Sequence, residues 1–363
     1  MKILFFIKGL GLGGAERHVV DCAAELLRRG HDVAVVYVLP NKNALVEELE
    51  RQGVKVFCVG TSAGFAFGSL LMRLSALVRT FQPDVLHAHL PVPGIIARLL
   101  KLRHGYRLVY TEHNVYERLH PLTRIAHRLT HSLDDCAISC SGPVAASLPW
   151  KSLVIENGIR VPEEQIGGGH VGGLRNRLGI DGDAVVFICI ANLLHKKNHA
   201  LLVDSFERAF GDFGGSSAHL VLVGQDGTER AALEIRTRDF VSRRRIHFWG
   251  PHPNASELLA EADVFCLSSS FEGLPIALLE SMAVGIPAVV TRVGGMPDCI
   301  AEGTTGFVVE PDDRDGFAEG MKRLYGDRNM RQRMGAGAYM LARAKFSQVR
   351  MMGSLAHCYG VEA

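Results

Sequence analysis

A short apolar run followed by an amphipathic stretch, repeated from one end to the other, constrains this chain more than any other feature. Strand-like runs occur at 2–7 (KILFFI), 32–38, 54–59, 84–88, 107–111 and 135–139. Most are separated by stretches with helical spacing, such as AERHVVDCAAELLRR at 15–29, closed by Gly30. Short apolar strands alternating with helices pair in parallel and are covered by helices on both faces. The pattern restarts after a glycine-rich segment, IGGGHVGGLRNRLG, with runs at 184–191, 219–224, 245–249, 263–268, 287–291 and 306–310. The expected fold is therefore α/β, with two Rossmann-like doubly wound parallel-sheet domains facing a central cleft and a hinge near 157–175. Ligands in such sheets bind at the carboxyl ends of the strands. Residues 316–326 and 329–361 read as helical, and the last helix is expected to return to the first domain.

Bulk properties narrow the function classes. A length of 363 residues suits two cores rather than one, and the net charge of +2 gives no reason to expect nucleic acid. Charge is uneven, however: Lys and Arg exceed Asp and Glu by six over residues 1–160 and fall four short over the rest. The eight cysteines show no CxxC pair and no zinc spacing, which fits buried thiols in a reducing compartment. No apolar run approaches 18 residues, and the amino-terminal MKILFFIKGLGLGG is too short and glycine-rich for a signal peptide, so a cytoplasmic location is expected.

In the first half, Gly9, Gly11 and Gly14 satisfy G-x-G-x-x-G between a strand and a helix. A dinucleotide reading fails at its second requirement, because the end of the second strand (VVYVLPNKN) carries no acid to hold a ribose. The loop still permits a phosphate to approach a helix amino terminus; a tight turn is the plainer alternative. Glu16 reads as a dipole-complementing residue of the first turn. His87, His89 and His113 all fall at the ends of predicted strands, and His113 is the strongest candidate among them for chemistry. Glu112 either orients His113 or pairs with Arg118 on the surface.

In the second half, Lys196 and Lys197 lie in the loop between a strand and a helix, placed to meet an anion or simply to be solvated. The stretch SSSFEGLPIALLESMAVGIP then sets Glu272 and Glu280 eight residues apart. Pro275 suits a first helical turn and Gly285 a helix end, so Glu272 belongs to the loop and Glu280 to the helix. A carboxylate among the apolar residues around Glu280 needs hydrogen-bond donors; two vicinal ribose hydroxyls would supply them, and a core arginine or a backbone amide is the plainer alternative. The helix start between the two acids is free for a diphosphate. The D-x-D pairs Asp181/Asp183 and Asp313/Asp315 read as turn and capping chemistry, so no metal is expected.

These residues together resemble the retaining glycosyltransferases of family 4, which have the GT-B fold. The resemblance rests on GGAERHVVDCAAELLRRGHDVAVV, DVLHAHLP, TEHN, IENGI, HLVLVGQDG, FEGLPIALLESMAVGIPAVVTRVGGMPDCI and GTTGFVVEPDD, and on the E-x7-E spacing of Glu272 and Glu280. It implies an amino-terminal acceptor domain, 1–163 with a closing helix at about 346–363, and a donor domain, 164–345. It implies a nucleotide-sugar donor, most often a UDP-sugar, and no cofactor or metal. Glu280 would then hold the ribose; Glu272 and the amides of Gly273 and Leu274, ahead of Pro275, would hold the sugar. Lys197, with Lys196, would meet the diphosphate, Gly13 and Gly14 would approach it, and His113 would sit beside the sugar; Gly224 and Asn192 fall at donor-side positions. Asn192 stands where the family usually has an arginine, which puts donor affinity in question. Retention in such enzymes is explained by front-face attack, so no side chain is assigned as a nucleophile.

The resemblance also implies a glycan or lipid-linked acceptor. Residues 97–131 are rich in Arg, Lys and His interleaved with Leu, and 69–80 and 121–131 are basic and amphipathic, which is compatible with an anionic bilayer at the inner face of the membrane or with ordinary packing on a sheet. Two rival readings share the fold: a UDP-sugar epimerase or hydrolase, and a non-catalytic nucleotide-sugar-binding module.

Overall fold

The first strand, β1 (Lys2–Ile7), shows how the core is sorted. Ile3, Phe5 and Ile7 belong to one apolar cluster; Leu4 and Phe6 belong to another, on the opposite face of the strand. A strand with both faces buried has to sit in the middle of a helix-covered parallel sheet. In the computed structural model, which describes residues 1–60, 67–169, 172–211 and 217–361, β1 does so. It is followed by β2 (Asp32–Tyr37), β3 (Lys55–Cys58), β4 (Val85–His89), β5 (Arg107–Glu112), β6 (Cys136–Ser139) and β7 (Leu153–Val154). The order is β3-β2-β1-β4-β5-β6-β7 with every pair parallel.

A second parallel sheet contains β8 (Val185–Ile190), β9 (Ala218–Val223), β10 (Ile246–Gly250), β11 (Val264–Leu267), β12 (Ala288–Thr291) and β13 (Gly306–Val309), in the order β10-β9-β8-β11-β12-β13. Both sheets thus reverse direction beside their first strand, between β1 and β4 and between β8 and β11. The carboxyl ends of those strands are where such sheets receive ligands. The chain forms two compact units, Met1–Gly158 with Val349–Ala363, and Ile159–Gln348. All twelve runs read from the sequence are strands, within a residue or two at each end.

Two features differ from the sequence reading. β7 was not expected: it is two residues long and exposed, and its apolar run, Leu153-Val154-Ile155, is too short to read as a strand. The helix expected over 329–361 is two helices, Arg328–Lys345 and Gln348–Tyr359. The break is set from a distance. Ile159 donates its amide to the Phe346 carbonyl (2.8 Å) and accepts the Gln348 amide (2.8 Å), so the chain at 346–348 bonds to another segment. Beyond the break, Met351, Met352, Leu355, Cys358 and Tyr359 join the cluster of Ile3, Phe5 and Ile7. Residues 170 and 171 of the expected hinge and residues 362 and 363 of the closing helix lie outside the described residues.

Candidate active site

In the Ile159–Gln348 unit, the loops leaving β8 and β11 are stitched together. After β8 the chain makes a short turn, His195–Lys197, and Asn198 adopts a left-handed conformation (φ 47°) that starts the helix His199–Phe210. Asparagine is one of the few residues that tolerates this conformation, and its side chain accepts the Leu201 amide as a cap. From the β11 side, the Ser270 amide donates to the Lys196 carbonyl (2.8 Å), and the Ser268 hydroxyl lies within reach of the carbonyls of Asn198 (2.9 Å) and Lys197 (3.2 Å).

That stitching aims Lys197 at Glu272. Its ammonium donates to Glu272 Oε1, and the Ser269 hydroxyl donates to the same oxygen (2.7 Å). Thr291, at the end of β12, holds the Ser269 carbonyl (2.6 Å). Glu272 is only 9% exposed, so two donors, one of them charged, offset its desolvation. The next loop presses on the same backbone. The Gly295 amide donates to the Gly273 carbonyl (2.7 Å), and a Cβ added to Gly294 (φ 54°) would lie 2.1 Å from the Glu272 carbonyl oxygen. Lys196 places its ammonium 5.7 Å from the Phe271 ring.

Leu274 and Pro275 are buried and lead into the helix Ile276–Val284, which ends at Gly285 (φ 90°). Pro275 stands at the capping position in extended conformation, one residue before the first turn in which it was expected. The burial of the two acids also differs from expectation. Glu272, in the loop, is the buried one. Glu280 is half-buried, because it lies one turn beyond half-buried Ala277 while Leu278, Leu279 and Met282 take the core side. At the Asn192 position a carboxamide, not a guanidinium, spans two strand ends by accepting the Gln225 amide (3.0 Å). Gly224 is required beside it: a Cβ there would lie 2.2 Å from the Ala191 carbonyl oxygen. Asp313 caps the helix Arg314–Gly326 through the Gly316 amide, and Asp315 pairs with Arg208. Among the described residues no three His, Cys, Asp or Glu side chains converge as a metal site requires.

In the other unit, Gly13 precedes the helix Gly14–Arg28. A Cβ added at Gly13 would lie 2.3 Å from the Glu16 carboxylate, the far end of a side chain that can move aside. This helix brings His18 to the ends of β4 and β5, where the His18 ring lies 5.6 Å from both His89 and His113. His87 is fully buried between the Tyr359 hydroxyl and Thr111 Oγ1 (2.8 Å each), a structural role. His113 is half-buried and contacts His89 (3.0 Å). Burial, aided by His18, pushes its imidazole down to about 3, so it is neutral at pH 7.

Of the two readings of Glu112, orientation is the one observed. Its side chain is fully buried, and one oxygen accepts the amides of His113 and Asn114 (3.0 Å each) while the other accepts the Tyr110 hydroxyl (2.5 Å). Burial raises its pKa, and those donors counter the rise. His127 Nε2, 3.6 Å from Glu112, is too far for a hydrogen bond, and burial pushes that imidazole down to about 3. Sequence reading missed His18, Ser268, Ser269, Thr291, Gly294 and Gly295. The last three sit where the TRVGG stretch follows a predicted strand, a signal open to the same logic that found His113.

Two parallel sheets of this order, with Lys197 and Glu272 in the loops after β8 and β11 at the second reversal and His113 after β5, define a doubly wound α/β protein of two compact units. Residues 12–161 match the family model described as Glycosyltransferase Family 4, and residues 173–340 match Glycosyl transferases group 1. The chain is a family 4 glycosyltransferase with the GT-B fold. It is 27% identical to the lipopolysaccharide core biosynthesis glycosyltransferase LpsE of Rhizobium meliloti, over 96% of both chains. It is 25% identical to the UDP-Gal:alpha-D-GlcNAc-diphosphoundecaprenol alpha-1,3-galactosyltransferase of Escherichia coli, over 71% of this chain and 70% of that one. The solved structure of Anabaena Alr3699/HepE in complex with UDP-glucose superposes with a TM-score of 0.84 at 20% identity, covering 99% of each chain.

Proposed function

We propose that this glycosyltransferase moves a hexose-type sugar from a UDP-sugar to a glycan or lipid-linked acceptor, with retention and without a metal. The observation that carries the reading is the Lys197–Glu272 pair at the carboxyl ends of β8 and β11, where a cation and a carboxylate already face each other. A bound diphosphate would compete for the ammonium and release Glu272 Oε1 to accept a sugar hydroxyl. Glu280, half-buried on its helix, is assigned to the ribose. The amides of Gly273 and Leu274, ahead of Pro275, are assigned to the sugar, and Lys196, Asn192 and Gly224 to the diphosphate side. Gly13 and Gly14 are assigned to a phosphate and His113 to a sugar oxygen. The named donors of the relatives support UDP: one structural neighbour holds UDP-glucose and one relative is named for UDP-Gal.

In the reaction, the bond from the anomeric carbon to the diphosphate oxygen breaks as the acceptor oxygen bonds to the same face of that carbon. The acceptor's proton passes to the departing phosphate, leaving UDP. Lys197 and Lys196 stabilise the charge that grows on that phosphate. No side chain is needed as a nucleophile. Incubation with a panel of UDP-sugars tests this reading: stabilisation in thermal shift and UDP release with a glycan acceptor are expected. Absence of stabilisation by every UDP-sugar overturns it. An epimerase would alter the sugar without releasing UDP, and a binding module would be stabilised without turnover.

For the acceptor side we place the chain at an anionic bilayer surface. No described helix is long and apolar enough to cross a membrane. The helix Pro121–Thr130, however, leaves Leu122, Ile125 and Leu129 at 70%, 57% and 76% exposure, at the spacing of one face, with Arg128 and Arg118 also exposed. An apolar stripe flanked by arginines matches the two attractions an anionic interface offers. The E. coli relative, whose named acceptor is a diphosphoundecaprenol lipid, supports this placement.

A further inference from the structure

The contact between His89 and His113 constrains where each imidazole carries its proton. His89 Nδ1 lies 3.0 Å from His113 Nε2. The ring centroids are 5.3 Å apart and the planes differ by 25°, so the rings meet edge to edge, nearly in one plane. One nitrogen of the pair must donate and the other accept. The remaining nitrogen of His89, Nε2, is buried and has no hydrogen-bond partner among the described residues. A proton on that Nε2 would be a buried N–H with nothing to receive it, a situation folded proteins avoid more strictly than an unused lone pair. The His89 proton therefore sits on Nδ1 and is donated to His113 Nε2.

We infer that His89 is a positioning residue that fixes the tautomer of His113, so that His113 presents Nδ1–H, a hydrogen-bond donor, at the end of β5. Burial keeps both imidazoles neutral at pH 7, so His113 has one proton, and Nε2 is already engaged as an acceptor. The backbone around the pair is held independently. Glu112 fixes the amides of His113 and Asn114, and Leu90, directly after His89, has φ 72° and ψ 154°, a strained conformation that the surrounding structure has to enforce. The inference rests on the proposed donor site for what Nδ1–H meets: an oxygen of the sugar or its leaving group, to which His113 donates and from which it takes no proton.

Long-range proton–nitrogen NMR on the ¹⁵N-histidine-labelled full chain reads the tautomer directly, with the His113 signals assigned by their loss in His113→Gln. The wild type should show the Nδ1–H pattern. His89→Leu, which removes the donor, should move His113 toward Nε2–H; His89→Asn, whose amide N–H takes the place of Nδ1–H, should keep the wild-type pattern. Transfer should fall about tenfold in kcat for His89→Leu with the donor KM little changed, and recover in His89→Asn. An Nε2–H pattern at His113 in the wild type overturns the inference, and that result stands even if His89→Leu does not fold. Failure of UDP-glucose to bind the wild type would instead overturn the donor reading and leave the tautomer result intact.

Discussion

Lys197 and Glu272, 75 residues apart in sequence, meet in a pair whose carboxylate is also held by the Ser269 hydroxyl. The two residues reach this pair from neighbouring strands, β8 and β11, so their separation is fixed by the sheet rather than by either loop alone. Removing each partner should therefore have a different consequence. Lys197→Ala takes away the charge assigned to the diphosphate and should raise the UDP-sugar dissociation constant at least tenfold. That corresponds to a charge-assisted hydrogen bond of about 1.5–3 kcal/mol. Glu272→Ala should lower kcat by a larger factor than it weakens UDP binding, because its assigned partner is the sugar. Calorimetry with UDP beside steady-state transfer separates the two; equal losses in both variants would refute the division of roles.

Glu280 is assigned to the ribose, which every UDP-sugar shares. Glu280→Ala should then abolish the thermal stabilisation given by UDP alone and by any UDP-sugar, while leaving the melting temperature of the unliganded protein within a few degrees. The small effect on the free protein follows from partial exposure: a half-buried carboxylate is not a core support. A ligand-induced shift equal to that of the wild type would remove Glu280 from the site.

Gly294 tests the backbone on which Glu272 rests. Its positive φ and the 2.1 Å from an added Cβ to the Glu272 carbonyl mean that Gly294→Ala must displace either its own loop or the Glu272–Gly273 segment. A loss of about 1–3 kcal/mol is expected from strain and crowding, with a parallel loss of transfer. Chemical denaturation and a transfer assay check both; full activity in a fully stable variant would show that the loop yields without moving Glu272.

How much of this was legible in the sequence depends on how far the cause of each feature lies along the chain. Most strands were legible because burial on both faces writes itself locally as an apolar run, and β7 was not because its run, Leu153-Val154-Ile155, is too short. The placement of Glu272 in a loop and Glu280 in a helix followed from Pro275 and Gly285. Their relative burial did not, since Glu272 is covered by Lys197, Ser269 and the Gly294–Gly295 turn, all contributed through folding. The break at 346–348 answers to Ile159, almost 190 residues earlier. Glu112 showed the limit most clearly: two partners were open to it, and only the fold decided between backbone amides and Arg118.

Acid should destabilise the fold before carboxylates titrate. His18 and His199 are pushed down to about 4 and His113 and His127 to about 3, chiefly by burial, and His87 and His89 also lie well below the ordinary 6.5. A group whose folded pKa is depressed binds its proton more readily when unfolded. Its stabilising contribution is complete above pH 6.5 and is lost as pH falls toward the folded value. Each such imidazole removes up to about 1.4 kcal/mol per pH unit through this window. Glu112 and Asp134, whose pKa values are raised by burial, work in the opposite direction but are outnumbered by these imidazoles. Urea midpoints should drop steadily from pH 7 to pH 4.5; a flat profile would mean that these histidines accept protons without unfolding.

The stripe of Leu122, Ile125 and Leu129 gives the membrane placement its own test, independent of catalysis. These three side chains face outward, whereas His127 on the same helix is fully buried and stacks on Trp150 with ring centroids 4.9 Å apart. Changing the outer three to Ser therefore spares the inner packing and should leave the melting temperature nearly unchanged. Liposome flotation should show the wild type bound to vesicles containing phosphatidylglycerol at low salt. The triple variant should be largely released, since each inserted leucine or isoleucine contributes roughly 1.5 kcal/mol or more. Arg118→Glu with Arg128→Glu should weaken binding to anionic vesicles by about 2 kcal/mol or more and abolish its salt dependence. If the wild type fails to float with anionic vesicles at low salt, the bilayer is not the surface this helix meets, and the acceptor must be presented in water.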